Sequence, residues 1–145
     1  MFRQAEMVLA LGSIFAAGAA MPGWAHGTTE RVSVSSGGTQ ADGPSSNFFA
    51  PAISADGRFV AFSSDATNLV PGDTNGQFDM FVHDRRTGKI RRVSLGPGGV
   101  EADGLSDDAA ISADGRFVAF WSGATNLVPG DTNSTDDIFV RILAP

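Results

Sequence analysis

The chain has 145 residues, with 10 lysines and arginines against 16 aspartates and glutamates, a formal net charge of −6. That acidic balance argues against a nucleic-acid partner, because a phosphate backbone demands a basic surface. There is no cysteine, so disulfides and a lipid-bearing N-terminal cysteine are excluded too.

Taken in order, residues 1–25 read as an export signal. Arg3 supplies a positive start, slightly weakened by Glu6, and residues 8–20 form an uncharged run rich in alanine and leucine. Gly23-Trp24-Ala25 offers a cleavage site after Ala25. The run is too short for a membrane span, which takes about 20 apolar residues. The competing reading is an uncleaved anchor or a buried N-terminal helix. Export predicts a periplasmic or extracellular protein whose folded part is residues 26–145, still at a net charge of −6 because Arg3 and Glu6 leave together.

No stretch beyond residue 25 carries a helical period, so the expectation is an all-β protein. Residues 28–36 alternate and are rich in β-branched side chains, which predicts a strand. Residues 37–47 are a loop by composition. A short strand follows at Ala52-Ile53, turned back by Ala55-Asp56-Gly57, where glycine supplies the positive φ that an Asp-Gly turn needs. The next strand, residues 58–63, includes Phe59-Val60-Ala61-Phe62, apolar on both faces and therefore expected to be covered on both. Residues 78–83 and 89–95 predict two more strands, the last with Arg91 and Arg92 facing water.

The chain then repeats itself. Ile53-Ser54-Ala55-Asp56-Gly57-Arg58-Phe59-Val60-Ala61-Phe62 returns unchanged as residues 111–120, and Asn68-Leu69-Val70-Pro71-Gly72-Asp73-Thr74-Asn75 returns as residues 126–133. Both recur at an offset of 58, which is the mark of a repeat architecture. The second copy predicts strands at 109–112, 116–122 and 137–143 but no fourth. Residues 27–34 align with 88–95 at an offset of 61, and the match continues from Ala41-Asp42-Gly43 to Ala102-Asp103-Gly104. The strand at 28–36 is thus expected to be a displaced fourth strand for the second unit. Unit one runs over about residues 48–95, and unit two over 109–143 plus 28–36.

Four antiparallel strands in some fifty residues, two of them doubly buried, describe a β-propeller blade; a sandwich or flat solenoid is the alternative. Here the residues resemble a known family. Ala52-Ile53-Ser54-Ala55-Asp56-Gly57-Arg58-Phe59-Val60-Ala61-Phe62, with Asp79-Met80-Phe81-Val82-His83-Asp84 and the second copy's Asp137-Ile138-Phe139-Val140, is similar to the TolB-like (WD-repeat-like) propeller repeat, in two copies. Ala55 and Ala113 stand where that repeat usually has proline. The resemblance implies propeller blades. It leaves function open, since such repeats serve envelope scaffolds and the gating domains of peptidases alike.

Two blades leave apolar outer faces bare, which soluble monomers rarely tolerate. The expected outcomes are a head-to-tail homo-oligomer, a trimer or tetramer closing a ring, or a chain truncated from a longer propeller.

Among candidate sites, Asp73, Asn75 and Asp79, with Asp131, Asn133 and Asp137 in the second copy, place hard oxygens at spacings suited to calcium, provided carbonyls or water complete six to eight ligands. Their other reading is Asx turns leading into a strand. His83, with Ser63, Ser64 and Asp84 available by type, is the weak case for a catalytic triad. His83 aligns with Arg141, as a solvated strand end would. No nucleophile elbow, zinc motif or phosphate loop occurs. Arg85, Arg86, Lys89, Arg91 and Arg92 form one basic cluster, either a solubilising rim or a site for an anionic wall polymer or lipid headgroup. Trp121 reads as core or blade interface.

The expectation is an exported, non-catalytic propeller module that binds a protein or a cell-envelope polymer. The alternatives are an accessory propeller of a larger enzyme such as a peptidase, and a calcium-stabilised lectin-like ring.

Overall fold

The computed structural model describes residues 27–46 and 49–143; the expected export signal lies outside them. Contacts divide the chain into Met1–Glu30 and Arg31–Pro145. Of the first unit only residues 27–30 are described, exposed and outside any strand. The second holds seven strands in two antiparallel sheets, with no α-helix among the described residues.

Strands β1 (Ala52–Ile53), β2 (Phe59–Ser64), β3 (Asp79–Asp84) and β4 (Lys89–Arg92) form the first sheet, in that order. Strands β5 (Ser106–Ile111), β6 (Phe117–Ser122) and β7 (Asp137–Ile142) form the second. Both Asp-Gly turns behave as their sequence requires, with Gly57 at φ 70° and Gly115 at φ 71°. Asp56 Oδ1 accepts from Ser54 Oγ at 2.6 Å and from the Arg58 amide at 3.0 Å. Asp114 repeats both bonds, at 2.6 and 3.1 Å.

The two-sided strand is two-sided. Val60 and Phe62 pack with Phe81 and Ile90 on one face of the first sheet. Ala61, on the other, joins Met80, Val82 and Val93 against Val118 and Phe120 of the second sheet. The ring pairs repeat as well: Phe62–Phe81 centroids lie 6.0 Å apart and Phe120–Phe139 centroids 5.9 Å apart.

The N-terminal segment departs from expectation. The second sheet has three strands, and residues 28–36 do not complete it. Within that stretch Val34 makes a single bridge to Gln40, Val32 packs against the core of the first sheet, and Ser36 Oγ accepts from the Ile90 amide at 3.1 Å. The sheets are not closed into a ring. A strand's alternation says that a segment can pair; it does not say with which edge.

What joins the segments is a clamp that sequence pattern alone did not reveal. Asp42 accepts from the Thr67 amide at 2.8 Å and from Thr67 Oγ1 at 2.9 Å, while its own amide donates to Asn68 Oδ1 at 3.1 Å. Asp103 repeats this with Thr125 and Asn126 at 2.7, 2.8 and 3.1 Å. The glycine after each aspartate is required by proximity. A Cβ on Gly104 would lie 2.9 Å from the Ala124 amide nitrogen and 2.9 Å from the Gly123 carbonyl carbon. Backbone cannot yield as a side chain can, so Gly104→Ala is expected to cost about 1–3 kcal/mol. Urea denaturation measures this; a cost within error of zero would show that the loop moves freely.

Candidate functional site

The densest polar constellation gathers around Arg92. Alternation along β4 turns Arg91 outward and Arg92 inward, correcting the expectation that both face water: the Arg92 side chain is only 6 % exposed. Arg92 Nη1 donates to Asp79 Oδ2 at 2.9 Å and Glu101 Oε1 at 2.7 Å, and lies 3.3 Å from Asp73 Oδ1. Its Nη2 donates to the Gly72 carbonyl at 3.2 Å. Ser94 Oγ donates to Asp79 Oδ1 at 2.5 Å. Thr74 closes the rim, its amide donating to Glu101 Oε1 at 2.8 Å and its hydroxyl to Oε2 at 2.5 Å.

Two of the three calcium candidates of the first repeat thus meet, and a third carboxylate joins them. Asp73, Asp79 and Glu101 bring oxygens within 4.8 Å of one another, a spacing that could hold a metal ion. Asn75 offers the wrong end. Its amide nitrogen donates to Asp79 Oδ2 at 2.9 Å and to the Ala102 carbonyl at 3.1 Å, and its oxygen accepts from the Gln77 amide at 3.0 Å, an Asx turn. In the second repeat Asn133 repeats the turn with Thr135 at 3.0 Å and reaches Asp137 at 3.1 Å. There, among the described residues, no cation reaches Asp131 or Asp137. Glu101 escaped the sequence reading because it lies on a loop far from Asp73; its signal is its alignment with Gln40, beside an arginine (Arg31, Arg92) in both copies.

The cluster sets a pH dependence. Burial pushes the Asp73 carboxyl up to about 6, with Asp79 and Glu101 adding to the rise and Arg92 opposing it. Hydrogen bonds from Thr74, then from Arg92, hold Glu101 down at about 2. Asp84 is likewise held at about 2, first by the Arg58 fork at 3.0 and 2.8 Å. A raised carboxyl destabilises the fold once ionised, so Asp73 makes the fold more stable as pH falls from about 6 toward its unfolded value of 3.8. Glu101 and Asp84 stabilise above their unfolded values, and that contribution disappears as pH falls toward about 2. Stability is therefore expected to peak near about pH 4–5. Asp73→Asn should flatten the slope between about pH 4 and 6 while keeping an acceptor for Arg92. Thermal melts across pH check this, and an unchanged slope would exclude Asp73 as its source.

The remaining candidates separate. His83 is buried rather than solvated, and its Nδ1 has no hydrogen-bond partner. It pairs across to Val60, whereas Ser63 and Ser64 sit opposite Met80 and Asp79, about 10 Å along the sheet at three residues' rise. Ser64 Oγ donates to the Pro44 carbonyl at 2.8 Å. These groups do not form a triad. Arg141, the repeat equivalent of His83, is exposed and donates to the Leu95 carbonyl at 3.1 Å. Of the basic cluster, Arg92 is withdrawn and Arg85 Nη1 donates to the Gly57 carbonyl at 2.7 Å. Lys89 and Arg91 remain exposed and line an open cleft of about 510 Å³ with Phe59 and Arg116. No protein-family model matches the chain, and no curated protein matches it.

Proposed function

We propose that this chain is an exported, non-catalytic β-repeat module of the TolB-like propeller kind, which binds anionic groups of a protein or cell-envelope polymer. What carries the reading is the cleft that Lys89 and Arg91 share with the Asp114-Gly115 turn. Its cations Lys89 and Arg91 carry no ion pair among the described residues, and Arg116 lies over the Phe117 ring at 5.9 Å. Two carboxylates share the lining: Asp84 is neutralised by Arg58, and Asp114 has Arg116 as its nearby positive charge. Titration with polyglutamate tests the reading: the wild type should bind, and Lys89→Glu with Arg91→Glu should weaken binding at least about tenfold with an unchanged fold. Equal binding by both, or none by either, discards it.

The second reading, an accessory propeller of a larger enzyme, rests on the repeat alone. Calcium is narrower still. Carboxylate spacing supports it at Asp73, Asp79 and Glu101, but there the ion must displace a guanidinium that already supplies the positive charge. At Asp131, Asn133 and Asp137 no cation competes among the described residues. Melting curves that superimpose in calcium and in chelator would end it.

A further inference from the structure

The outer face of the second sheet is apolar and bare. Pairing across β6 and β7 sets Phe117 opposite Ile142, Ala119 opposite Val140 and Trp121 opposite Ile138, all on one face. Ile138 is 69 % exposed and Val140 63 %. Their repeat equivalents, Met80 and Val82, are 0 % and 1 % exposed, because in the first sheet that face packs against the second repeat.

The molecule thus contains a worked example of what covers this face. On the first sheet Val93, Ala102, Val118 and Phe120 pack over this face, while residues 92–94 run along the β3 edge: Val93 donates its amide to the Met80 carbonyl at 2.8 Å, Ser94 Oγ accepts from the Met80 amide at 3.0 Å, and Arg92 enters the carboxylates. Residues 31–45 are the sequence equivalent of residues 92–106, with Arg31, Val32, Ser33, Ala41, Asp42 and Gly43 for Arg92, Val93, Ser94, Ala102, Asp103 and Gly104. Their Asp42 clamp already holds them on their own first sheet, as Asp103 holds its segment on the second sheet. Arg31 is exposed, and its Nη1 donates to Gln40. Asp131 and Asp137 are half-buried, and no cation reaches them among the described residues. Ile53, the equivalent of half-buried Ile111, is exposed.

We infer that the chain self-associates head to tail, the β7 edge and the outer face of β6 and β7 in one copy receiving residues 31–45 and Ile53 of a second, with Arg31 of the second copy entering between Asp131 and Asp137 of the first. The occupant is a second copy because the same chain carries both halves of the contact, in apolar shape and in charge. Such a contact is heterologous, so it builds a ring if the rotation closes and a filament if it does not.

Light scattering after size exclusion, on the full chain over a range of concentrations, tests this. A mass above one chain's 15.0 kDa that grows with concentration is expected, with a blue shift of Trp121 emission in a Trp24→Phe background. Arg31→Glu and Ile138→Asp change exposed side chains. Each should reduce self-affinity at least about tenfold while leaving the circular dichroism spectrum unchanged. Assembly weakened by high salt in the wild type would add support, since the contact includes a charge pair. A monomer at every concentration overturns the inference, and so does an assembly that both variants leave intact.

Discussion

Replacing Arg92 by methionine is expected to lower stability by about 3–5 kcal/mol at neutral pH, because it leaves several carboxylates together without a counter-charge. Methionine retains much of the arginine stem's volume, so the loss reports charge and hydrogen bonds more than packing. Three acceptors lose their donor at once: Asp79 at 2.9 Å, Glu101 at 2.7 Å and the Gly72 carbonyl at 3.2 Å. The pH dependence should also grow. Uncompensated carboxyls have raised pKa values, so the variant should regain stability as pH falls toward about 5. Arg92→Lys keeps the charge but not the planar fork, and should fall between the two. Urea denaturation at pH 7 and pH 5 decides the matter. A cost below about 1 kcal/mol, the range of an exposed pair, would mean that the cluster is solvated and contributes little.

The second large effect concerns the same phenylalanine in its two copies. Phe81 is fully buried between β2 and the N-terminal segment, so Phe81→Ala should cost about 3–5 kcal/mol through lost transfer energy and an unfilled cavity. Phe139 holds the equivalent place and pairs with Phe120 as Phe81 pairs with Phe62, but it lies on the edge strand and is only half-buried. Phe139→Ala should cost about 1–2 kcal/mol in dilute solution, in proportion to the smaller area removed from water. The contrast isolates context, since the chemistry of the deletion is identical. If both cost the same in dilute solution, the β7 edge is covered by something other than concentration-dependent assembly.

Much of the architecture was legible in the residues. An exact ten-residue repeat can only mean two copies of one local structure, and its Asp-Gly turn and two-sided apolar strand lead directly to a hairpin and a doubly covered β2. The strand positions followed from alternation, within a residue or two at most ends. These are local properties: turn conformation and side-chain period depend on neighbours in sequence, which the sequence states.

Faces and partners were decided in three dimensions. Lys89-Ile90-Arg91-Arg92 alternates as a polar outer strand does, and nothing in those four residues says that Arg92 will be drawn inward. The reason lies in Asp73 and Asp79 on a preceding loop and strand, and Glu101 on a following one, gathered by chain reversals that the pattern does not encode. His83 looked like a solvated strand end and is buried because Val60 and Ile90 flank it across the sheet. Residues 31–36 have a strand's composition and begin with the same Arg-Val-Ser as residues 92–94, yet their place is beside the first sheet. Pairing is a contest between edges, settled by the Asp42 clamp on Thr67 and by the burial of Val32. The repeat told which residues are equivalent; only the tertiary structure told which of them had found their partners.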